Sequence, residues 1–394
     1  MKRLTEFAPR VATPGVATPA AAALADPGFS HAVITWQRTH GRHALPWQNT
    51  RDGYRVWLSE IMLQQTQVSA VLDYYARFLA RFPTLAELAA APSEDVMAQW
   101  SGLGYYTRAR NLHACAKRVV DEHGGVFPTD PALLAELPGI GRSTAAAIAA
   151  FSGGVRAAIL DGNVKRVFAR AFGIDAFPGQ KQVEDALWLR AEALLPADGI
   201  EAYTQGLMDL GATLCTRSSP DCARCPLQDR CVAHATGRTA ELPVRKPKKS
   251  IPEKQATLLV VIDGGQVLLE QRPDSGIWGG LMSLPEQDGH NAPGAAGDGR
   301  GAPGTGDAGE GISAVLMAFA GRFGDVEEIE ALLPLVHVFT HYKLHIKPFR
   351  VALSARAPLA PAQLWWDLAD IAAAPLPAPV KKLLSQLALP TLFS

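Results

Sequence analysis

The chain has 394 residues, 48% of them hydrophobic, with 38 basic and 38 acidic side chains that cancel. That length suggests two or three domains with real cores, and no apolar run is long enough to cross a bilayer. A net charge of zero excludes a global basic field as the means of holding a polyanion, although local patches and backbone amides at helix starts can still contact phosphates.

Residues 1–28 begin with two early basic residues and run into an Ala/Pro-rich stretch. Arg10, Pro14 and Pro19 interrupt any export-signal core, so the stretch reads as a disordered tail. The expected location is the cytoplasm, where stable disulfides are rare. Residues 29–235 alternate helical patterns with short Gly/Pro turns and predict an all-α domain.

In "WLSEIMLQQTQV" (57–68), Glu60 sits among Trp57, Leu58, Ile61, Met62 and Leu63. Desolvation on such a helix face raises a carboxyl pKa, although a glutamate at the solvated edge of an amphipathic helix would read the same way. The amides from Gln64 to Gln67 then break the apolar pattern. In "GLGYYTRARNL" (102–112), Gly102 and Gly104 allow close backbone approach beside Tyr105. Cys115, on the helix that follows, reads as a small buried residue.

"LAELPGIGRSTAAAIAAF" (134–151) brings a helix end to Gly139 and Gly141, and a small-residue helix follows. Its first amides are suited to a phosphate, but the motif also fits an ordinary helical hairpin turn. In "ILDGNVKRVFARAF" (159–172), Asp161 looks like an N-cap, and capping alone would explain an aspartate there. The helix dipole is expected to lower its pKa.

Residues 215–231 hold four of the five cysteines, spaced C-x6-C-x2-C-x5-C: Cys215, Cys222, Cys225 and Cys231. In a reducing compartment this is a metal site, and thiolates suit either zinc or iron–sulfur. Residues 236–255 are basic and proline-punctuated, which reads as a linker. Beyond it the texture becomes α+β. Asp263-Gly264-Gly265 signals a hairpin, "LVHVFTHYKLHIKPFRVAL" alternates like a strand pair, and 288–311 is low-complexity and expected to be a mobile loop.

Together, the LPGIG hairpin, the following aspartate and the cysteine spacing resemble the endonuclease III superfamily of base-excision glycosylases. In that superfamily the four thiols hold a 4Fe–4S cluster. The segments at 57–68, 102–112 and 160–167 resemble more closely the MutY family of adenine DNA glycosylases, over nearly everything from residue 29 onward. The resemblance implies a helix–hairpin–helix glycosylase domain with an iron–sulfur loop at 215–231, and a Nudix-like lesion-recognition domain at 256–394. Its substrate would be double-stranded DNA containing 8-oxoguanine·adenine or guanine·adenine mispairs, bound by a monomer in the nucleoid.

Residue by residue, the resemblance makes Glu60 the catalytic acid and Asp161 the stabiliser of the cationic sugar, with Asn163 orienting Asp161 or the water. Gln65 is the candidate wedge for the vacated space and Tyr105 the candidate stacking partner, although both also fit ordinary loop and core packing. Gly139, Gly141 and Ser143 would meet the DNA. Strand-cleaving relatives carry a lysine where this chain has Ser143, and a hydroxyl supplies no amine to the sugar. The serine thus implies a monofunctional enzyme and opposes the alternative, an endonuclease III-like glycosylase–lyase for oxidised pyrimidines. The family's F-S-H reading loop is Phe339-Thr340-His341 here, with His337 before it. Gly280 and Glu286 fit the start of a Nudix signature whose glutamate-rich remainder is missing from the sequence, so the resemblance implies the Nudix fold without hydrolase activity.

Overall fold

The computed structural model describes residues 24–246, 251–273, 276–287, 314–339 and 342–388. The loop expected at 288–311, most of the expected N-terminal tail, and Thr340 and His341 lie outside the described residues. The chain divides into two compact units, one of Met1–Ile61 and Val126–Pro247, the other of Met62–Gly125 and Lys248–Ser394. No helix among the described residues is long and apolar enough to cross a membrane.

The first unit is helical. Helix Pro27–His40 begins inside the stretch expected to be tail, because Asp26 accepts from the Phe29 amide at 3.1 Å and Pro27 stands at the first helical position. Helix Arg142–Gly153 is buried continuously from Ala145 to Ala150. Five alanines in that run let neighbouring elements approach the helix closely. Helix Gly162–Ala171 buries Val164, Val167, Phe168 and Ala171, an i, i+3, i+4, i+7 stripe. These side chains join Phe29, Val33 and Leu207 in one core.

After helix Ile200–Asp209 the chain winds through a π-helical turn, Leu210–Leu214, into the cysteine loop with its short 3₁₀ turns, Cys222–Arg224 and Gln228–Arg230. The start of the stretch expected to be linker is held in this unit. Leu242 is buried, the Arg170 Nε donates to its carbonyl at 2.8 Å, and Arg238 pairs with Asp175.

The second unit contains helices Val68–Arg81, Leu85–Ala90, Ser93–Trp100 and Thr107–His123, the last closed by Gly124 at φ 62°. It also contains one mixed eight-stranded sheet. Its strands are β1 (Glu253–Asp263), β2 (Gln266–Gln271), β3 (Met282–Ser283), β4 (Glu286–Gln287), β5 (Gly324–Ala331), β6 (Leu335–Val338), β7 (Lys343–Arg356) and β8 (Gln363–Asp367). The order is β3-β2-β1-β7-β5, with β4 on β1, β6 on β7 and β8 on β2. Only β1 and β7 run parallel, from Glu253 opposite Lys343 to Ile262 opposite Ala352.

The expected hairpin is present between β1 and β2, with Gly264 at φ 55° and Gly265 at φ 79° supplying the turn. The expected strand pair is β6 with β7. Leu259, Val261, Leu316, Phe323 and Val351 form the core between the sheet and helix Ala314–Ala320. Glu286 pairs with Arg272 at 2.6 Å.

Candidate active site

Glu60 is on helix Gly53–Leu63 and opens into a cavity of about 410 Å³, within the usual range for ligand sites. The carboxyl is only partly covered by surface area because it faces that cavity, yet protein encloses it on every other side. Burial, followed by the nearby charge of Asp161, pushes its pKa up from the usual 4.5 to about 8. The carboxyl therefore holds its proton at neutral pH.

The polar wall of the same cavity was not legible in the sequence. Gln205 donates from Nε2 to Asp209 Oδ1 at 2.8 Å. Asp209 is fully buried and also accepts from the Arg42 amide at 2.8 Å and the Arg42 Nε at 2.7 Å. Gln205 uses one N–H on Asp209, and it lines the cavity with a carbonyl oxygen able to accept. Gln48, on the same wall, donates to the Arg42 carbonyl and accepts from the Leu45 amide, both at 3.0 Å.

Asp161 caps helix Gly162–Ala171 by accepting from the Val164 amide at 2.7 Å. The cap is as expected, but the direction of its pKa is not. Burial raises it, and this outweighs the lowering by the Val164 and Asn163 amides and by Arg166 and Lys165. A helix start favours the anion only as far as desolvation allows. The Asn163 side chain accepts from Arg166 at 2.7 Å, so it is the backbone of Asn163 that favours the charge of Asp161.

Ser143 accepts from the Leu160 amide at 2.9 Å and so fixes the residue before Asp161. Gly139 has φ 78°, which only glycine adopts readily. Gly141 is extended, and an added Cβ there would meet nothing within 4 Å, so the start of helix Arg142–Gly153 is open. Lys165 is bonded to Glu184 at 2.8 Å.

The four cluster-loop cysteines line one cavity together with Arg170. No three His, Cys, Asp or Glu side chains among the described residues close around the position of a single ion. Four soft sulfur donors lining one cavity fit a polynuclear iron–sulfur cluster. Arg170 is buried. It donates to Cys215 Sγ at 3.3 Å and to the Thr216 carbonyl at 2.7 Å, which fixes the start of the loop. Arg166 ties the same loop to the Asp161 helix through the Cys215 carbonyl at 2.8 Å and the Gly211 carbonyl at 2.6 Å. Gly211 is obligatory there, since an added Cβ would lie 2.4 Å from that of Asn163.

In the second unit, Gln65 is exposed with φ 57°, and Tyr105 is 48% exposed with φ 50°. Tyr105 lines a cavity of about 540 Å³ with Arg110, Trp278, His337 and Phe339. Phe339 stacks on Tyr342 with centroids 4.6 Å apart and meets His337 at 4.5 Å and Trp278 at 5.7 Å. Arg110 straps this group to the helical part by donating to the Gly279 carbonyl at 2.6 Å. Trp278 and Arg110 had no signal in the sequence beyond their residue type.

Residues 58–193 match the HhH-GPD superfamily of base excision DNA repair proteins, 215–231 the iron–sulfur binding domain of endonuclease III, and 257–386 the NUDIX domain. The molecule is therefore a helix–hairpin–helix DNA glycosylase with an iron–sulfur loop and a Nudix-like domain. It is 34% identical to the adenine DNA glycosylase of Buchnera aphidicola subsp. Schizaphis graminum over 90% of this chain and 97% of that protein. Against the Homo sapiens adenine DNA glycosylase it is 31% identical over 84% of this chain and 68% of that one. Among solved structures, a thermostable thymine-DNA glycosylase aligns at 29% identity and a TM-score of 0.49, covering 53% of this chain and 95% of that one. The chain belongs to the adenine DNA glycosylase family.

Two outcomes test this site. Between the usual 4.5 and about 8, folded Glu60 holds a proton that the unfolded chain has lost. Stability is then full below the lower value and declines as pH rises towards the upper one. Glu60→Gln should raise the melting midpoint at pH 8 and leave it unchanged near pH 4. A variant that melts with wild type at both pH values would show that Glu60 carries no raised pKa. Protein purified without oxygen should contain about four irons per chain. Stoichiometric zinc without iron would refute the cluster.

Proposed function

We propose that the chain removes adenine mispaired with 8-oxoguanine or guanine, as a monomeric and monofunctional enzyme. The observation that carries this reading is Glu60, a carboxyl kept protonated at neutral pH in a cavity beside a second carboxylate. Adenine inside a duplex is out of reach, so the base must be extruded before it can enter such a cavity. The Gln205 carbonyl is placed to accept from an exocyclic amine. Glu60 donates its proton to N7, which lets the base leave as neutral adenine while the C1′–N9 bond breaks.

The sugar then carries oxocarbenium character. Asp161, ionised, stabilises it until water adds at C1′ and its proton passes to the now ionised Glu60, leaving an abasic site and restoring the acid. Ser143 offers no amine for attack on the sugar, and Lys165 is engaged by Glu184, which supports hydrolysis without strand cleavage. The open start of helix Arg142–Gly153 at Gly139 and Gly141 suits a backbone phosphate, and exposed Arg217 and Arg224 on the cluster loop suit others.

Gln65 fills the vacated stack and Tyr105 stacks beside the opposing purine. The lesion is read through the β6–β7 turn. 8-Oxoguanine differs from guanine in bearing a proton at N7 and an oxygen at C8, and the Thr340 hydroxyl can accept from the first and donate to the second. Phe339, which precedes Thr340 in the chain, stacks on Tyr342, and His337 meets Trp278.

Single-turnover adenine release should fall as pH climbs through about 8, because the acid then loses its proton, and should fall again at low pH as Asp161 gains one. Glu60→Gln should lower the rate by ~10²–10⁴ or more while mismatch binding survives. A rate within about threefold of wild type would remove Glu60 from the role of acid. The double variant Phe339→Ala, Thr340→Ala should lose about ten- to hundredfold in its preference for 8-oxoguanine·adenine over guanine·adenine. Excision at saturating enzyme should persist. An unchanged ratio of rates and affinities for the two duplexes at one salt concentration would refute lesion reading by this turn.

A further inference from the structure

Gln65 and Tyr105 belong to the same compact unit and share an uncommon feature. Each is an exposed, non-glycine residue in the left-handed region, at φ 57° and φ 50°. Such backbone is unfavourable for a residue with a Cβ and persists where surrounding contacts over-determine it. A single side chain bonds to both turns. Arg108, in the first turn of helix Thr107–His123, is 8% exposed. Its Nη1 donates to the Met62 carbonyl at 2.8 Å, and its Nη2 donates to Thr66 Oγ1 at 3.0 Å and to the Gly104 carbonyl at 3.1 Å. The guanidinium carbon also lies 5.5 Å from the centre of the Tyr105 ring and 5.3 Å from that of Trp100.

The chemistry of each contact is specific. Met62 is in the last turn of helix Gly53–Leu63, where carbonyls lack intrahelical partners and attract a cation. Thr66 follows Gln65 directly, and Gly104 precedes Tyr105 directly. The fork therefore grips each left-handed residue one position away and sets the distance between the two turns. A planar guanidinium has enough donors in fixed directions to do this, whereas an ammonium on a flexible stem satisfies one turn at a time. The 101–106 turn is rigid on its other side as well. Gly102, at φ 94°, leaves no room for a Cβ beside the Tyr74 hydroxyl, and the Trp100 indole donates to the Gly104 carbonyl at 3.2 Å.

We propose that Arg108 is a positioning residue that locks the Gln65 and Tyr105 turns at one spacing, so that filling the vacated stack and stacking on the opposing purine occur as a single event. This rests on the reading of Gln65 and Tyr105 as the residues that enter the DNA.

The test uses the full chain with its cluster and a duplex carrying 2-aminopurine opposite 8-oxoguanine. The fluorescence of that base rises when it leaves the stack. A second duplex, with a tetrahydrofuran abasic analogue in its place, requires no extrusion. Arg108→Lys keeps the buried charge and loses the fork. Thr66→Val removes one tether and leaves the cation untouched. Arg108→Lys should lower the extrusion equilibrium by about tenfold or more, and Thr66→Val by roughly threefold, while affinity for the abasic duplex stays within about threefold of wild type. Equal losses on both duplexes would reduce Arg108 to a structural role and overturn the inference, as would wild-type extrusion in Arg108→Lys. Gln65→Ala and Tyr105→Ala separate the two layers of the argument. If both extrude as wild type does, the reading of these turns fails. If both lose extrusion while Arg108→Lys does not, only the inference fails.

Discussion

A carboxylic acid that must hold its proton at neutral pH has to be kept from bulk water, and much of the first unit is arranged around that requirement at Glu60. The apolar run on helix Gly53–Leu63 removes solvent from one side, with Trp57, Leu58, Ile61 and Met62 all buried. The cavity side is not apolar: Arg42, Gln48, Arg51, Glu201 and Gln205 line it. Its polar groups must then be satisfied among themselves, or each would add its own desolvation cost. The Arg42–Asp209–Gln205 set does this. The buried carboxylate is matched by a guanidinium and an amide, and on the same wall Glu201 is matched by Arg51 at 2.9 Å. A free charge on that wall would shift Glu60 away from the value its role needs.

The same balance explains why Asp161 is tied to so many neighbours. A carboxylate that is to remain an anion in a protein interior must be given compensating dipoles and charges, and here two amides, Arg166 and Lys165 provide them against burial. Arg166 is itself held by the Gly211 and Cys215 carbonyls, so the electrostatics of Asp161 depend on the path of the chain into the cysteine loop. Gly211 lets that chain approach the Asp161 helix closely, and Arg170 fixes Cys215 from the other side. On this geometry the iron–sulfur loop is more than a remote staple. It shapes the surroundings of the Asp161 carboxylate through Arg166.

What could be read from the sequence was whatever announces itself locally. The hairpin glycines, the Asp161 cap, the cysteine spacing, the Gly264-Gly265 turn and the alternation of β6 and β7 each depend on neighbouring residues, and each is where it was expected. What could not be read depends on who comes close in space. The Asp161 pKa direction was misjudged because the dipole is visible in the sequence and burial is not. Asp209, Arg108 and Arg170 are charged residues whose default reading is a solvated surface, yet all three are buried and bonded to groups far along the chain. The segment after 235 read as linker by its prolines and basic residues, and only the reach of Arg170 to Leu242 shows that its first part is anchored.

The division of the chemistry between the two units follows from the substrate. Adenine in a mispair is chemically the same as adenine in a correct pair, so a pocket around Glu60 can select adenine over other bases but cannot tell a wrong adenine from a right one. Contacts made equally to both cannot contribute to discrimination, however strong they are. The difference has to enter before the base reaches the acid, through groups that meet the opposing purine and through the ease of extrusion. Stiff, aromatic and backbone-strained residues are suited to that task. A turn that could relax onto guanine would bind both partners alike, whereas Tyr105, Trp278 and Phe339 are held in place by ring packing and positive-φ backbone. On the proposed reading, rigidity in the second unit serves to recognise a partner and the burial of Glu60 in the first serves to move a proton.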